Sequence, residues 1–302
     1  MGNHIDKFNT IKSEWYTFKS KPENKKTRIR NAADALDTTE ANLLSTDIGE
    51  NVFFLKINDY ESLLKEILQI DKLMFLIRTD DVVHEIIIDT SKVNVKDDSI
   101  FYKNQKSTIV KFNLDIFEYV FFENKKHGNK DLKSFQIFDK NGDSILKIYL
   151  KGSKSNQFDR IALKYKCDYK YEIQKNSYNK INYDTKNKLS QSYLLNKNIL
   201  RQILEKASEK EFPISINAFG NQISQYYNGK IKNIIDFGPW INIIDKSFNL
   251  HVLEKNVTRN IIKYDKTTEL FIVHLFDSND SQILEIKLSK DYEQYFKSIV
   301  KN

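Results

Sequence analysis

The sequence predicts an α+β fold: two repeats of a helix-flanked antiparallel β-sheet unit, related by a pseudo-twofold axis. Three observations predict it. Amphipathic helical stretches are followed by short β-rich runs broken by polar turns, and this order occurs twice. Two parts of the chain match each other at a nearly constant offset. Three prolines and eight glycines in 302 residues leave little room for flexible linkers.

The elements follow in order. Ile5, Phe8, Ile11, Trp15 and Phe18 fall at helical spacing and form one apolar face. Ile29, Ala32, Ala33 and Leu36 predict a second helix. Thr38-Thr39-Glu40 reads as a cap before a short helix at Ala41–Leu44. Leu63, Leu64, Ile67 and Leu68 mark a further amphipathic helix. From Leu73 the period becomes that of strands, in LMFLIR, VVHEIIID, TIVKFNL, YVFF, SFQIFD and ILKIYL. Lys140-Asn141-Gly142-Asp143 is a hairpin turn, because Asn-Gly tolerates positive φ. A helix with Phe158, Ile161, Ala162 and Tyr165 closes this series. Residues 168–197 are polar, without period, and read as a connector. Beyond them come a helix at NILRQILEKASEK, about seven strands as before, and a final helix at DYEQYFKSIV. The predicted organisation is a first repeat at 1–167, the connector at 168–197 and a second repeat at 198–302.

In the repeat, Ile67 falls on Ile203 and Leu68 on Leu204. At that same offset Asn113-Leu114 falls on Asn249-Leu250 and Glu118 on Glu254. Further on, Phe138, Asp139, Ile145 and Leu150 fall on Phe276, Asp277, Ile283 and Leu288, two residues out of step with the first set.

The chain carries 48 basic and 41 acidic residues, interleaved throughout. A net charge of +7 suits acidic partners, yet the basic residues do not interleave with aromatics as a nucleic-acid surface requires. One cysteine, Cys167, allows no internal disulfide and fits a reducing compartment. No apolar run is long enough to span a bilayer, and MGNHIDKF lacks the pattern of a secretion signal. A cytoplasmic location without membrane insertion is expected. No P-loop, dinucleotide fingerprint, HExxH or GxSxG is present.

The run FGPWINIIDKSFNLHVLEKNV, residues 237–257, is similar to the GPWLNVLDPxFNLHL segment of the HemS/ChuS/HmuS haemin-degrading family. RIRNAADALDTTEANLLSTDIGENV, LIRTDDVVHE, SFQIFDKNGDSILKIY and INAFGNQISQYYNGKI resemble other segments of that family, in the same order over most of residues 1–290. The resemblance implies two repeats of large antiparallel sheets with flanking helices. It also implies haem as cofactor or cargo, a role in haem and iron utilisation as carrier or haemin-degrading factor, and a haem-uptake transporter or a reductase as partner. A nucleic-acid partner is not expected. The family carries its proximal haem histidine on a helix just before the second repeat. Here residues 176–197 hold that place and contain no histidine. This departure touches catalysis more than binding, and it supports the alternative of a non-catalytic binding or regulatory module on the same fold.

Iron in haem takes an axial donor, most often a neutral imidazole and sometimes a tyrosine. His84 in VVHE is the first candidate for a relocated ligand, and a hydrogen-bonded structural histidine is its plain alternative. His251 in the NLH run, where packing is the simpler role, and Tyr227, beside Tyr226, follow. His274 stands where the first repeat has Gln136 and reads as a polar surface position. His127 lies in a turn and His4 at the chain's start. Lys111, Lys263 and Lys290 fall where the family places cations, which assigns them to haem propionates, and Lys287 stands at a family tyrosine. Gly238, Pro239, Trp240 and Asn249 are structural signature positions. No catalytic residue and no metal beyond haem iron is assigned.

Overall fold

A computed structural model describes residues 2–49, 51–104, 107–128, 130–168, 171–172, 193–194 and 198–295. Its elements in chain order are α1 (Gly2–Ser20), α2 (Ile29–Ala35), α3 (Glu40–Ser45), β1 (Val52–Leu55), α4 (Tyr60–Ile67), β2 (Lys72–Arg78), β3 (Val82–Asp89), β4 (Val93–Lys96), β5 (Ser99–Tyr102), β6 (Thr108–Phe112), β7 (Tyr119–His127), β8 (Lys130–Phe138), β9 (Ser144–Leu150) and α5 (Ser155–Tyr165). They continue with β10 (Tyr193–Leu194), α6 (Ile199–Glu209), β11 (Ile214–Gly220), β12 (Ile223–Gly229), β13 (Ile234–Phe237), β14 (Trp240–Ile244), β15 (Phe248–Leu253), β16 (Arg259–Asp265), β17 (Leu270–Phe276) and β18 (Gln282–Leu288). The expected α+β class is observed. The connector lies almost wholly outside the described residues. The final helix is described only to residue 295.

The chain forms two compact units. The first comprises Met1–Phe75, Asp89–Asp98 and Asn113–Asn179, and the second Leu76–Ile88, Ser99–Phe112 and Lys180–Asn302. The repeats of the sequence and the units in space are thus different partitions, since β3, β5 and β6 of the first repeat belong to the second unit.

In the first unit the strand order is β1-β7-β8-β9-β2. Neighbouring residues on a strand face opposite ways, so Phe121 and Phe122 serve two cores. Phe122 and Phe135 meet Phe158 of α5, with the Phe135 and Phe158 rings 4.7 Å apart. Phe121 joins Phe54 and Phe138 beneath Ala41 and Leu44 of α3 and beneath Tyr171. Full burial of one such side chain is worth ~1.5–3 kcal/mol. The helix α3 in turn presents Leu43 to Ile11 and Trp15 of α1 and to Ala32 and Ala33 of α2.

Two polar devices seat α3 on the sheet. The Thr39 side chain accepts a hydrogen bond from the Asn42 amide and caps the helix. The Ala41 amide donates to the Gly142 carbonyl at 3.1 Å in the β8–β9 turn. Gly142 has φ +81°, and a Cβ there would lie 2.5 Å from Thr39 Oγ1, so glycine meets two requirements at once. Beside them the Lys147 ammonium lies 2.8 Å from the Glu40 carboxylate, and Arg30 lies 3.3 Å from it. Glu40 and Lys147 are both buried.

In the second unit one run of strands has the order β10-β16-β17-β18-β11-β12-β6-β5 and another β3-β15-β14-β13. Ile199, Leu200, Ile203, Leu204 and Ala207 form the buried stripe of α6. The matching stripe on α4 and its C-cap is Leu63, Leu64, Ile67 and Leu68, so the helix alignment of the repeat holds in three dimensions.

The hairpin alignment holds as well. Asp139 Oδ1 accepts from the amides of Asn141 and Asp143, and Asp277 Oδ1 from those of Asn279 and Ser281. Between helix and hairpin the alignment needs correction. Asn113 caps a 3-10 turn at Leu114–Ile116, whereas Asn249 lies inside β15. The Glu118 amide bonds the Phe138 carbonyl as the Thr258 amide bonds that of Phe276, which makes Thr258, not Glu254, the counterpart of Glu118. Short insertions in the intervening loops move the offset without disturbing the strands. Each repeat has eight strands after its helix, β2–β9 and β11–β18, rather than seven.

The buried Glu40–Lys147 pair makes a stability prediction. Lys147→Met leaves the Glu40 carboxylate buried without its lysine and lowers the urea-unfolding free energy by about 3 kcal/mol. Adding Glu40→Gln recovers most of that loss. A cost below about 1 kcal/mol for the single variant means that water reaches Glu40.

Candidate functional site

Strand register in the second unit arranges one sheet face into rows. His274 pairs with Glu285, Glu285 with Asn217 and Asn217 with Tyr226, across β17, β18, β11 and β12. The adjacent row runs Lys263, Ile272, Lys287, Ser215 and Asn228. Lys111 stands on the same face, paired with Ser224. The residues between these in sequence point to the opposite face and form the core: Ile262, Val273, Ile286, Ile216 and Gln225 are all buried.

At the β17 end of the first row His274 Nδ1 lies 3.1 Å from the Gln282 side-chain amide and 3.6 Å from the Glu285 carboxylate. The Lys287 ammonium is 3.2 Å from the same carboxylate. Partial burial lowers the His274 pKa, and Lys263 and Lys287 add to the effect against the opposing pull of Glu285. The ring is therefore neutral near pH 7. Asn217 is 5% exposed, and its Oδ1 is buried with no hydrogen-bond partner among the described residues.

The predicted cations divide. Lys263 and Lys287 flank the same residue, Ile272, on adjacent strands. Lys111 sits on β6, five sheet positions from Lys263 on β16. At a strand spacing of ~4.8 Å those two lie on the order of 20–25 Å apart, so they do not clamp one small anion together. Lys290 follows β18 and forms an exposed ion pair with Glu269 at 3.5 Å.

The predicted axial donors lie elsewhere. His84 is completely buried. The Gln225 amide nitrogen donates to His84 Nδ1 at 2.8 Å and to the His84 carbonyl at 3.0 Å, and the imidazole meets the Phe248 ring at 5.1 Å. Burial pushes its pKa down to about 3. Tyr227 stacks flat on Phe248 at 3.8 Å and donates its hydroxyl to the Lys230 carbonyl, and burial raises its pKa to about 12. Tyr226, its neighbour, is the tyrosine on the row-bearing face. His251 lies on β15 opposite Val83, with Nδ1 2.6 Å from Asn242 Oδ1. None of His84, Tyr227 and His251 shares the face of Lys111, Lys263 and Lys287. The side chains of His4 and His127 lie outside the described residues.

The signature residues do structural tasks. Gly238 takes φ +57° in the β13–β14 turn, and the Asn249 amide donates to Glu85 at 2.9 Å. Gly238, Pro239 and Trp240 line an open cleft of about 530 Å³ together with Arg201, Asp236 and Glu254. The Arg201 guanidinium is held by both carboxylates, at 2.8 and 2.7 Å, and Lys255 also lines the cleft. Among the described residues no three His, Cys, Asp or Glu side chains are grouped to hold a metal ion. Among the described residues no helix is long and apolar enough to cross a membrane.

His274 is the residue that sequence reasoning passed over. Its signal was in the repeat. Glu123, Gln136 and Lys147 of the first repeat occupy the positions of Lys263, His274 and Glu285 in equivalent registers. In the first unit Gln136 donates to Glu123 at 2.7 Å and Lys147 is covered by Glu40. In the second repeat the signs are exchanged and a histidine replaces the amide.

Comparison with known proteins places these observations in a family. A model described as haem utilisation ChuX/HutX matches residues 53–162, and one described as haemin-degrading HemS.ChuX domain matches residues 185–300. The structure of holo-PhuS, a haem-binding protein from Pseudomonas aeruginosa, superposes with TM-score 0.83 at 17% identity, covering 97% of this chain and 99% of that one. The haem-degrading enzyme ChuS of Escherichia coli O157:H7 superposes with TM-score 0.84 at 16% identity, covering 97% and 99%. No curated protein matches the chain in sequence.

The burial of His84 sets a pH dependence. In the unfolded chain the imidazole gains a proton below its ordinary pKa of 6.5, while the folded state refuses it until about pH 3. Stability therefore falls with decreasing pH across that window, by ~1.4 kcal/mol per unit from this group. In His84→Gln the loss of Tm over the same window is shallower than in the wild type. Equal slopes would show that His84 opens to solvent before the chain unfolds.

Proposed function

The chain belongs to the HemS/ChuX haem-utilisation family, and from that premise we propose that it binds haem for iron utilisation on the row-bearing face of β16–β18, β11 and β12. The observation that carries this reading is the Lys263–Lys287 pair flanking Ile272. Two lysines flanking an apolar side chain, Lys287 also lying 3.2 Å from Glu285, suit a flat apolar ring that ends in carboxylates. Solved proteins with the same fold are described as haem-binding and haem-degrading, which supports the assignment. Lys111 is a further cation at the far side of the face, and Lys290 lies at its margin.

The donor set fits the group. A neutral imidazole, a tyrosine, two lysines and an amide oxygen without a partner among the described residues occupy one face of one unit. Bound haem supplies the iron that activates oxygen, and the protein's share is a ligand, charge for the propionates and exclusion of water. The role is that of a haem carrier or haemin-degrading factor in the cytoplasm, served by a transporter or a reductase. One observation favours a second reading: residues 176–197 contain no histidine. On that reading the chain is a non-catalytic binding or regulatory module.

Haemin titration followed by absorbance separates the two. The wild type is expected to give a saturable Soret change near one equivalent. Replacing Lys263 and Lys287 together by alanine weakens binding about tenfold, equivalent to ~1.4 kcal/mol. A wild type that gives no saturable change favours the module.

A further inference from the structure

We infer that His274, through Nε2, is the axial iron ligand of this protein. The inference rests on the haem-binding reading and names the residue that would hold the iron.

The two ring nitrogens of His274 have different surroundings. Nδ1 faces the Gln282 amide at 3.1 Å and the Glu285 carboxylate at 3.6 Å. Nε2 has no hydrogen-bond partner among the described residues. The Gln282 atom facing Nδ1 is the amide nitrogen, a donor; a half-turn of that side chain puts its oxygen there instead, and a proton on Nδ1 then lies between the amide oxygen and the Glu285 carboxylate. That tautomer leaves the Nε2 lone pair for a metal. A carboxylate behind the imidazole is the arrangement that orients metal-bound histidines and raises their basicity. Glu285 is then a positioning residue, and the Lys287 ammonium lies 3.2 Å from the same carboxylate.

Comparison of the two repeats supplies an independent argument. The counterpart of His274, Gln136, is buried, bonded to Glu123 and Ser134, and lies on the face covered by α3. The counterpart of Glu285, Lys147, is spent on Glu40 of that helix. The turn that α3 grips through Gly142 has Asp280 at the same place in the second repeat, where it pairs with Arg259. A backbone that serves as a helix seat in one unit thus carries a half-buried histidine, a carboxylate and two lysines in the other. By contrast His84 is wholly enclosed, and His251 stands on a different strand run.

The test is a haemin titration of wild type, His274→Ala and His274→Gln, with far-UV circular dichroism to confirm folding. A shift of the Soret maximum in both variants, a fall in affinity of about tenfold or more, and return of the wild-type spectrum on adding free imidazole to His274→Ala support the inference. Glu285→Gln, which keeps the ligand but weakens its orientation, is expected to bind haemin and to lower the iron–histidine stretching frequency of the ferrous form. Wild-type spectra and affinity in both His274 variants overturn the ligand assignment and leave the haem-binding reading intact. No saturable binding by the wild type overturns both.

Discussion

A β-strand shows only every second side chain to either face, and the second unit depends on that constraint. On β16, β17 and β18 the inward residues Ile262, Val273 and Ile286 fill a core, so the outward residues are free to be Lys263, His274, Glu285 and Lys287. Antiparallel pairing then sets those residues side by side in rows that no local stretch of sequence contains. The same rule separates Tyr226 from Tyr227. One joins the row with Asn217, and the other is pressed flat against Phe248.

A polar joint lies in the interior of the second unit. Gln225 reaches His84, distant by 141 residues in sequence, and binds both its ring and its carbonyl. A buried amide with two directed bonds fixes how β12 meets β3 more narrowly than apolar contact does. The joint holds in the neutral state of the imidazole, since burial disfavours the charged one. His84 therefore acts as a framework residue in the described structure.

Much of the fold was legible because its signals are local. The stripes on α4 and α6, the capping threonine of α3, the Asn-Gly turn before β9 and the strand runs all follow from spacing within a dozen residues. The repeat was legible where loops keep their length, at Ile67 and Ile203 or Phe138 and Phe276, and slipped where they do not, at Asn113 and Asn249. The candidate site was less legible. His84 sits in a recognisable run, but its burial is decided by Gln225 and Phe248, far along the chain. The link between His274 and Glu285 depends on the pairing of β17 with β18, visible beforehand only as an exchange of sign against Gln136 and Lys147. Lys111 and Lys263 are both cations on one face, yet their separation comes from the strand order, which no motif encodes.

The exchange of Gly142 for Asp280 between otherwise equivalent turns has a bearing on how such a protein diversifies. In the first unit the glycine is pinned by Thr39, and the face beside it is committed to carrying a helix. In the second unit the same turn bears an ordinary ion pair. Mutation there alters chemistry at little expense to stability. Two copies of one scaffold are in this way put to different uses: the turn that seats a helix in one copy is released from that task in the other.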